Sequence, residues 1–217
     1  VEARMHMSKE PWATYARARV LPTGETPADP GMFFGSPDSF GMAVNKENLY
    51  KTASCFLLHY GPSFRTVERA WISPDATFPE VLAEFGVPEE ASADGMLVPP
   101  TLLDGAMQTL FILLGAQRKG EIKAFLPVAF DRVILYSPGR PRFVHTRLER
   151  ISPRSVVATF RLLDNGGNTL LILNKCRFRR AMWLEQETTA SRPYATEITL
   201  LPHPGDIGPY TGSTPQE

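Results

Sequence analysis

Leu102, Leu103, Ala106, Met107, Leu110, Phe111 and Leu114 recur at helical spacing and leave little of the helix circumference polar. The pattern predicts a helix over residues 101–117 that is buried on several sides. Pro99 and Pro100 suit its start, because the first turn needs no backbone donor there. Upstream, Leu49, Ala53 and Phe56 share one face of a shorter helix opening after Asn45, whose side chain suits an N-cap. Residues 67–72 read as a strand. Residues 79–85 read as a short helix, since Pro79 suits a first turn and Val81, Leu82 and Phe85 share a face. Beyond the long helix the apolar period shortens to two. Strands are predicted over 125–130, 133–136, 143–150, 156–163 and 169–179, and Asp164-Asn-Gly-Gly-Asn168 joins the last two as a hairpin. A weaker alternation over residues 15–20 predicts one more strand near the N-terminus.

Breakers punctuate the rest. Pro22, Gly24, Pro27, Pro30, Gly31, Gly35, Pro37 and Gly41 mark a linker. Residues from 184 on are polar, proline-rich and aperiodic, the pattern of a tail lying along a surface. The expected core is therefore 45–181, one long helix wrapped by an antiparallel sheet, an α+β fold. At 217 residues and 43% hydrophobic, the chain has enough apolar side chain for a packed core and is not a disordered one. No apolar run nears the roughly 18 residues of a membrane span. Lys plus Arg equals Asp plus Glu at 23 each, which removes the simplest argument for a nucleic-acid or membrane partner. Cys55 and Cys176 are read as buried or partly buried free thiols, and no signal peptide is evident. Both point to a reducing, cytoplasmic setting.

Candidate chemistry is concentrated at Asp104. A carboxylate within an apolar helix either finds partners or keeps its proton, and desolvation raises its pKa toward the range useful to a general acid. Gln108 lies one turn on, on the same face, placed to orient it. The competing reading puts Asp104 at a solvent-facing position or capping a loop. Of the four histidines, His6 and His203 fall in expected tails, His59 precedes a turn and His145 lies mid-strand. Each is read as a surface or packed structural residue. Ser63 has no adjacent base, and no phosphate-cradling glycine loop or dinucleotide fingerprint occurs. Arg140, Arg142, Arg147, Arg150 and Arg154 form a basic stretch, read as a solvated strand face, with an acidic partner or a phosphate as the alternative.

Tyr60-Gly-Pro-Ser-Phe64, Leu102-Leu-Asp-Gly-Ala-Met-Gln108, Leu126-Pro127 and Arg132-Val-Ile-Leu-Tyr136 occur in that order. Together they resemble the C-terminal half of a dehydratase domain from a modular, type I polyketide synthase, over residues 45–181. The resemblance implies a double hotdog, two copies of a long helix in an antiparallel sheet, of which this chain carries the second. It implies removal of water from a β-hydroxyacyl thioester held on the phosphopantetheine arm of an acyl carrier protein. By that resemblance Asp104 protonates the departing hydroxyl and Gln108 helps to hold it. Tyr60, Gly61, Pro62, Phe64, Leu103, Leu126 and Pro127 match segments that shape the substrate tunnel. No metal or diffusible cofactor is implied. The implied partners are the carrier protein, neighbouring synthase domains and a second copy in a homodimer. Residues 1–22 resemble the last strand of a preceding hotdog and 23–44 read as a linker. Residues 182–217, with Arg192-Pro-Tyr-Ala-Thr-Glu197, resemble the linker that follows such domains.

The family's base is a histidine in a His-x-x-x-Gly-x-x-x-x-Pro motif of the first hotdog. Here His6 is followed by Glu10 at the glycine position, His59 by Ser63, and position 99, where the family often has a histidine, is Pro99. The base is therefore expected from an upstream hotdog. Two alternatives stay open: a catalytically inactive, dehydratase-like structural or docking domain, and a related cyclase or double-bond isomerase. A free single-hotdog thioesterase is a further class and requires a dimer across a shared sheet.

Overall fold

The computed structural model describes residues 2–3, 13–14, 16–21, 27, 30–31, 33, 35, 37–56, 58–73, 79–86, 96–117 and 124–181. Contacts divide the chain into two compact units, Val1–Thr26 with Ser191–Glu217, and Pro27–Ala190. In the first, β1 (Glu2–Ala3) pairs antiparallel with β2 (Ala13–Thr14). The strand expected over 15–20 does not form, since residues 16–20 are exposed and outside any ladder. Alternation is no substitute for a partner strand, and alanine adds little β preference of its own. The expected tail, 182–217, lies outside the described residues.

The second unit contains β3 (Met42–Asn45), α1 (Lys46–Cys55), β4 (Val67–Ile72), β5 (Glu80–Phe85), α2 (Pro100–Gln117), β6 (Phe125–Ala129), β7 (Arg132–Leu135), β8 (Phe143–Ile151), β9 (Ser155–Leu163) and β10 (Thr169–Arg180). Its antiparallel sheet has eight strands in the order β3-β4-β5-β8-β9-β10-β6, with β7 also paired to β10. The long helix α2 lies across β4, β5, β8 and β9. This is the α+β hotdog architecture, a sheet wrapped on one helix.

Asn45 caps α1 as expected, its side chain accepting the Asn48 N–H at 2.9 Å. Leu49, Ala53 and Phe56 are buried behind it. On α2, Leu102, Ala106, Leu110, Leu113 and Leu114 are fully enclosed. They pack with Val81, Ala83 and Phe85 of β5, Val144 and Leu148 of β8, and Phe160 and Leu162 of β9. The hydroxyls of Thr109 and Thr146, 2.7 Å apart, tie α2 to β8 inside this core. Across the last hairpin, Asp164 Oδ1 accepts the Gly166 and Asn168 N–H groups, each at 2.8 Å. Gly167 there takes a φ of 82°, which glycine adopts without a Cβ clash.

Two elements differ from the sequence reading. Residues 79–85 are not a helix, because β5 sits between β4 and β8. Both its faces are covered, so Leu82 and Glu84 are buried along with Val81, Ala83 and Phe85. Burial on both faces blurs a two-residue period into one that a helix also fits. Pro79 stands just before the strand, where its missing donor does least harm. The second difference is β3, which takes residues from the expected linker and pairs with β4 from Met42 opposite Ile72 to Asn45 opposite Arg69. A short, mostly exposed edge strand has no apolar alternation to reveal it.

Glu84 is the one acidic side chain inside the sheet among the described residues, and cations compensate it on the outer face. Arg69 donates Nε and Nη2 at 3.1 and 2.9 Å, and Arg142 donates Nη2 at 2.5 Å. Of the basic stretch, Arg142 therefore serves this clasp and Arg147 reaches Glu149 at 3.7 Å, while Arg140, Arg150 and Arg154 are exposed. Cys176 is buried, and burial pushes its thiol up to about 12. Cys55, expected to be at least partly buried, is exposed at the end of α1. No helix among the described residues is long and apolar enough to cross a membrane.

Candidate active site

Three local features bring the candidate residues together. First, α2 carries Asp104 and Gln108 one turn apart on one face. Gly105 between them lets the helix press against the segment entering β4. A Cβ there would fall 2.1 Å from Thr66 Oγ1 and 3.1 Å from Phe85 Cε1, so only hydrogen fits. Second, a short 3₁₀ turn, Pro62–Phe64, closed by Phe64 N–H to the Gly61 carbonyl at 3.1 Å, aims the Phe64 carbonyl inward. Third, α1 presents Tyr50 from its buried face.

Gln108, 1% exposed, is the hub. Its Nε2 donates to Asp104 Oδ2 at 2.7 Å and to the Phe64 carbonyl at 2.9 Å. Its Oε1 accepts the Tyr50 hydroxyl at 2.9 Å. The Tyr50 oxygen in turn accepts the Val67 N–H at 3.1 Å. Asp104 is half-buried, and burial holds its carboxyl above the usual carboxylate range, with the Gln108 hydrogen bond opposing that rise. Among the described residues no cation is bonded to it. Burial also pushes up the hydroxyls of Tyr60 and Tyr50, and the Asp104 charge pushes in the same direction. The Tyr60 ring stands 6.0 Å from that of Tyr50 and 6.3 Å from Phe111. Arg65 donates to the Tyr60 carbonyl at 2.9 Å and lies over the Tyr50 ring.

One side of α2 stays open. Leu103, Asp104 and Met107 are half-buried, while Phe64 is 43% and Leu97 61% exposed. The arrangement is a carboxyl whose affinity for a proton is raised by burial, braced by an amide, at the edge of an apolar surface. Such a group is better suited than an exposed carboxylate to hold a proton and release it to a bound oxygen.

Asp104, Gln108, Tyr60 and the Phe64 backbone thus converge, with Leu103 beside them. Gly61 and Pro62 form the turn and are exposed. Leu126 and Pro127 lie on β6 at the sheet edge, opposite Arg179 and Phe178 of β10, and share no described contact with the Asp104 cluster. His59 is exposed. His145 stacks on Phe33 at 4.6 Å and bonds Glu80 at 3.0 Å on the outer face, across the sheet from α2, and burial lowers its pKa. His6 and His203 lie outside the described residues. Tyr50 is not singled out by the sequence. It stands 58 residues from Gln108, and its only signal is a hydroxyl-bearing ring on the buried face of a helix. No three His, Cys, Asp or Glu among the described residues come together to hold a metal ion.

A family model described as "Polyketide synthase dehydratase N-terminal domain" matches residues 36–187. The chain belongs to the polyketide synthase dehydratase family. A curated relative, the spectinabilin polyketide synthase system protein NorB of Streptomyces orinoci, is 31% identical over 131 residues, 60% of this chain and 6% of that protein. The dehydratase fold is shared with a trans-AT polyketide synthase dehydratase domain from Brevibacillus brevis, with a TM-score of 0.61, 20% identity, and coverage of 71% of this chain and 55% of that one. It is shared too with an inactive histidine-to-phenylalanine variant of the CurJ dehydratase in complex with a compound, with a TM-score of 0.60, 19% identity, and coverage of 73% and 57%. The dehydratase-family chain therefore spans little more than half the length of these solved domains and a small fraction of the whole synthase protein.

Proposed function

We propose that this chain is the C-terminal hotdog of a dehydratase that acts on a β-hydroxyacyl thioester carried on the phosphopantetheine arm of an acyl carrier protein. The observation that carries this reading is the Asp104 carboxyl, raised by burial and braced by Gln108 on the open side of α2. In the reaction a base removes the α-proton, and the electron pair of that C–H bond becomes the second bond of the alkene. The β-carbon–oxygen bond breaks as Asp104 gives its proton to the departing oxygen, which leaves as water. Asp104 ends as a carboxylate and the base as its conjugate acid. The base is a histidine of the upstream hotdog. Two observations support this: His59 is exposed and His145 is engaged with Phe33 and Glu80 on the outer face of the sheet, and the CurJ dehydratase is inactive as a histidine-to-phenylalanine variant. The family description speaks of an N-terminal domain. The acid-bearing helix and the Tyr-Gly-Pro-Ser-Phe turn favour the C-terminal half instead.

An upstream hotdog laid over Leu103, Met107 and Phe64 buries the open face and walls a tunnel with Tyr60. Neighbouring synthase domains, a homodimeric assembly and a cytoplasmic setting belong to the same reading. Joined to its upstream half, the chain should dehydrate a β-hydroxyacyl carrier thioester. Asp104→Asn should keep the fold and lower turnover by about 10²–10⁴-fold. Full turnover in that variant removes Asp104 from the mechanism. No turnover in the unmodified joined protein favours an inactive docking domain, and a cyclised or double-bond-shifted product favours the cyclase or isomerase.

A further inference from the structure

We propose that the segment carrying Phe33 and Phe40 is a strap over the outer face of the sheet, latched by neutral His145 and lifted when this side chain is protonated. The inference goes beyond the dehydratase reading and does not rest on it. Leu82, His145 and Arg161 stand opposite one another on β5, β8 and β9, so they share the face turned away from α2. Leu82 is 2% exposed, so this part of the outer face is covered. The Phe33 ring stacks on His145 at 4.6 Å, and the Phe40 ring meets it edge-on at 6.3 Å. Only 15% of the His145 side chain stays exposed. Gly35 lacks the Cβ that would collide with the Phe33 ring. Backbone bonds fasten the strap on either side of the histidine. The Phe33 N–H donates to the Gly167 carbonyl at 2.9 Å, and the Gly31 carbonyl accepts from Arg161 and from the Thr169 hydroxyl. Where the chain enters β3, the Gly41 N–H donates to the Ile72 carbonyl at 2.9 Å.

Closure leaves little room for a charge on the imidazole. The charged groups facing it are Glu80 from β5, Arg147 from its own strand and Arg161 from β9, while Phe33 and Phe40 bring only rings. One anion thus stands against two cations. Arg161 already lies over the same Phe33 ring at 5.8 Å, so an imidazolium there meets like charge. Glu80, 3.0 Å from Nε2, favours the protonated form, but burial outweighs it and lowers the His145 pKa. Lifting the rings returns His145 to water, with Glu80 still beside it, and to an ordinary value of about 6.5. The open strap therefore binds the proton more tightly than the closed one. By linkage, closure is most favourable above the ordinary histidine value and weakens as pH falls below it.

The test is amide hydrogen exchange of the full chain between about pH 7.5 and 5.5, corrected for the intrinsic pH dependence of exchange. The Phe33 N–H reports the strap and the Gly41 N–H its anchor. Protection of Phe33 should fall by up to about tenfold per pH unit below about 6.5, while Gly41 keeps its own. His145→Phe retains a ring for stacking but takes no proton, so the fall should vanish. By the same linkage, Phe33→Ala uncovers His145, and its NMR titration midpoint should rise toward the ordinary histidine value. Constant Phe33 protection across this range overturns the proposal, as does a fall that survives in His145→Phe. An equal loss at Gly41 means that the whole domain loosens, and overturns it too. If His145→Phe does not fold, Phe33→Ala decides, because an unshifted His145 titration there refutes the latch. None of these measurements needs turnover.

Discussion

Glu84 and Asp104 are carboxylates in the same domain, handled in opposite ways. Glu84 is the more deeply buried, and two guanidinium groups meet it on the outer face of the sheet. Asp104 is less buried, yet its only bonded partner among the described residues is a neutral amide. A cation beside a carboxylate favours its charged form, and an apolar surrounding favours the neutral one. On the proposed function, the contrast separates a carboxylate kept for structure from one kept for proton transfer. The first is given positive charge to fix it as an anion. The second is denied it, and burial raises its affinity for a proton, as the proposed acid role requires.

The largest effect expected from breaking this contrast is on turnover. Asp104→Asn should remove about 10²–10⁴-fold of the activity of the joined dehydratase, yet it should not weaken the fold. A carboxyl raised above its unfolded value contributes stability below that unfolded value, near pH 3.9, and loses it as pH rises through the folded value. At neutral pH, where the unfolded carboxyl is ionised, burying this group is therefore a burden. Thermal melts should show Asp104→Asn at least as stable as the parent at pH 7, with any advantage gone near pH 3. Next in size is Arg142→Ala, which strips Glu84 of its closest cation and the Phe85 carbonyl of a donor at 2.7 Å. Equilibrium unfolding in urea should register a loss of about 1–3 kcal/mol. That is less than for a fully buried pair, because the guanidinium is partly exposed.

Gly105→Ala should cost a comparable or smaller amount, about 1–2 kcal/mol, by forcing Asp104 and its helix off Thr66. Adding Thr66→Ala should recover much of it, since the hydroxyl is the nearest obstacle. The smallest effect belongs to a third carboxylate. Asp164 is only partly buried, and its hydrogen bonds, that from Asn168 first, hold its pKa below the usual range. A lowered carboxyl contributes stability above its unfolded value and loses it as pH falls through the folded one. Asp164→Ala should therefore cost less than about 1 kcal/mol at pH 7, and progressively less as the pH falls below the usual carboxylate range. Parallel melts of these variants would place the three carboxylates on one scale.

Much of the domain was legible because its signals are local. Asn45 caps the helix beside it, the apolar run of α2 repeats within a few turns, and Asp164 to Asn168 close their own hairpin. Asp104 and Gln108 could be paired for the same reason, being four residues apart on one helix. What was not legible depends on distant partners. β5 became a strand because β4 and β8 flank it, and its double burial imitated a helix. β3 is short and exposed, and only its pairing with β4 defines it. Tyr50 joins Gln108 across 58 residues through a hydroxyl whose direction no spacing encodes. Leu126 and Pro127 matched a motif by order alone, and their place on β6 beside β10 comes from sheet pairing that no spacing encodes.

The pairing of β10 has a consequence for the order of synthesis. It bonds β9 on one side and, in succession, β7 and β6 on the other. β6 and β7 are made first, yet among the described residues neither has another strand to bond until Thr169 and the residues after it exist. A ribosome would finish α2 and both these strands well before the last hairpin turned back to receive them. During that interval the exposed Val128, Phe130 and Val133 belong to unpaired chain. The final strand to emerge is thus the one that lets the sheet close, and the nascent domain is most vulnerable to mispairing just before its completion.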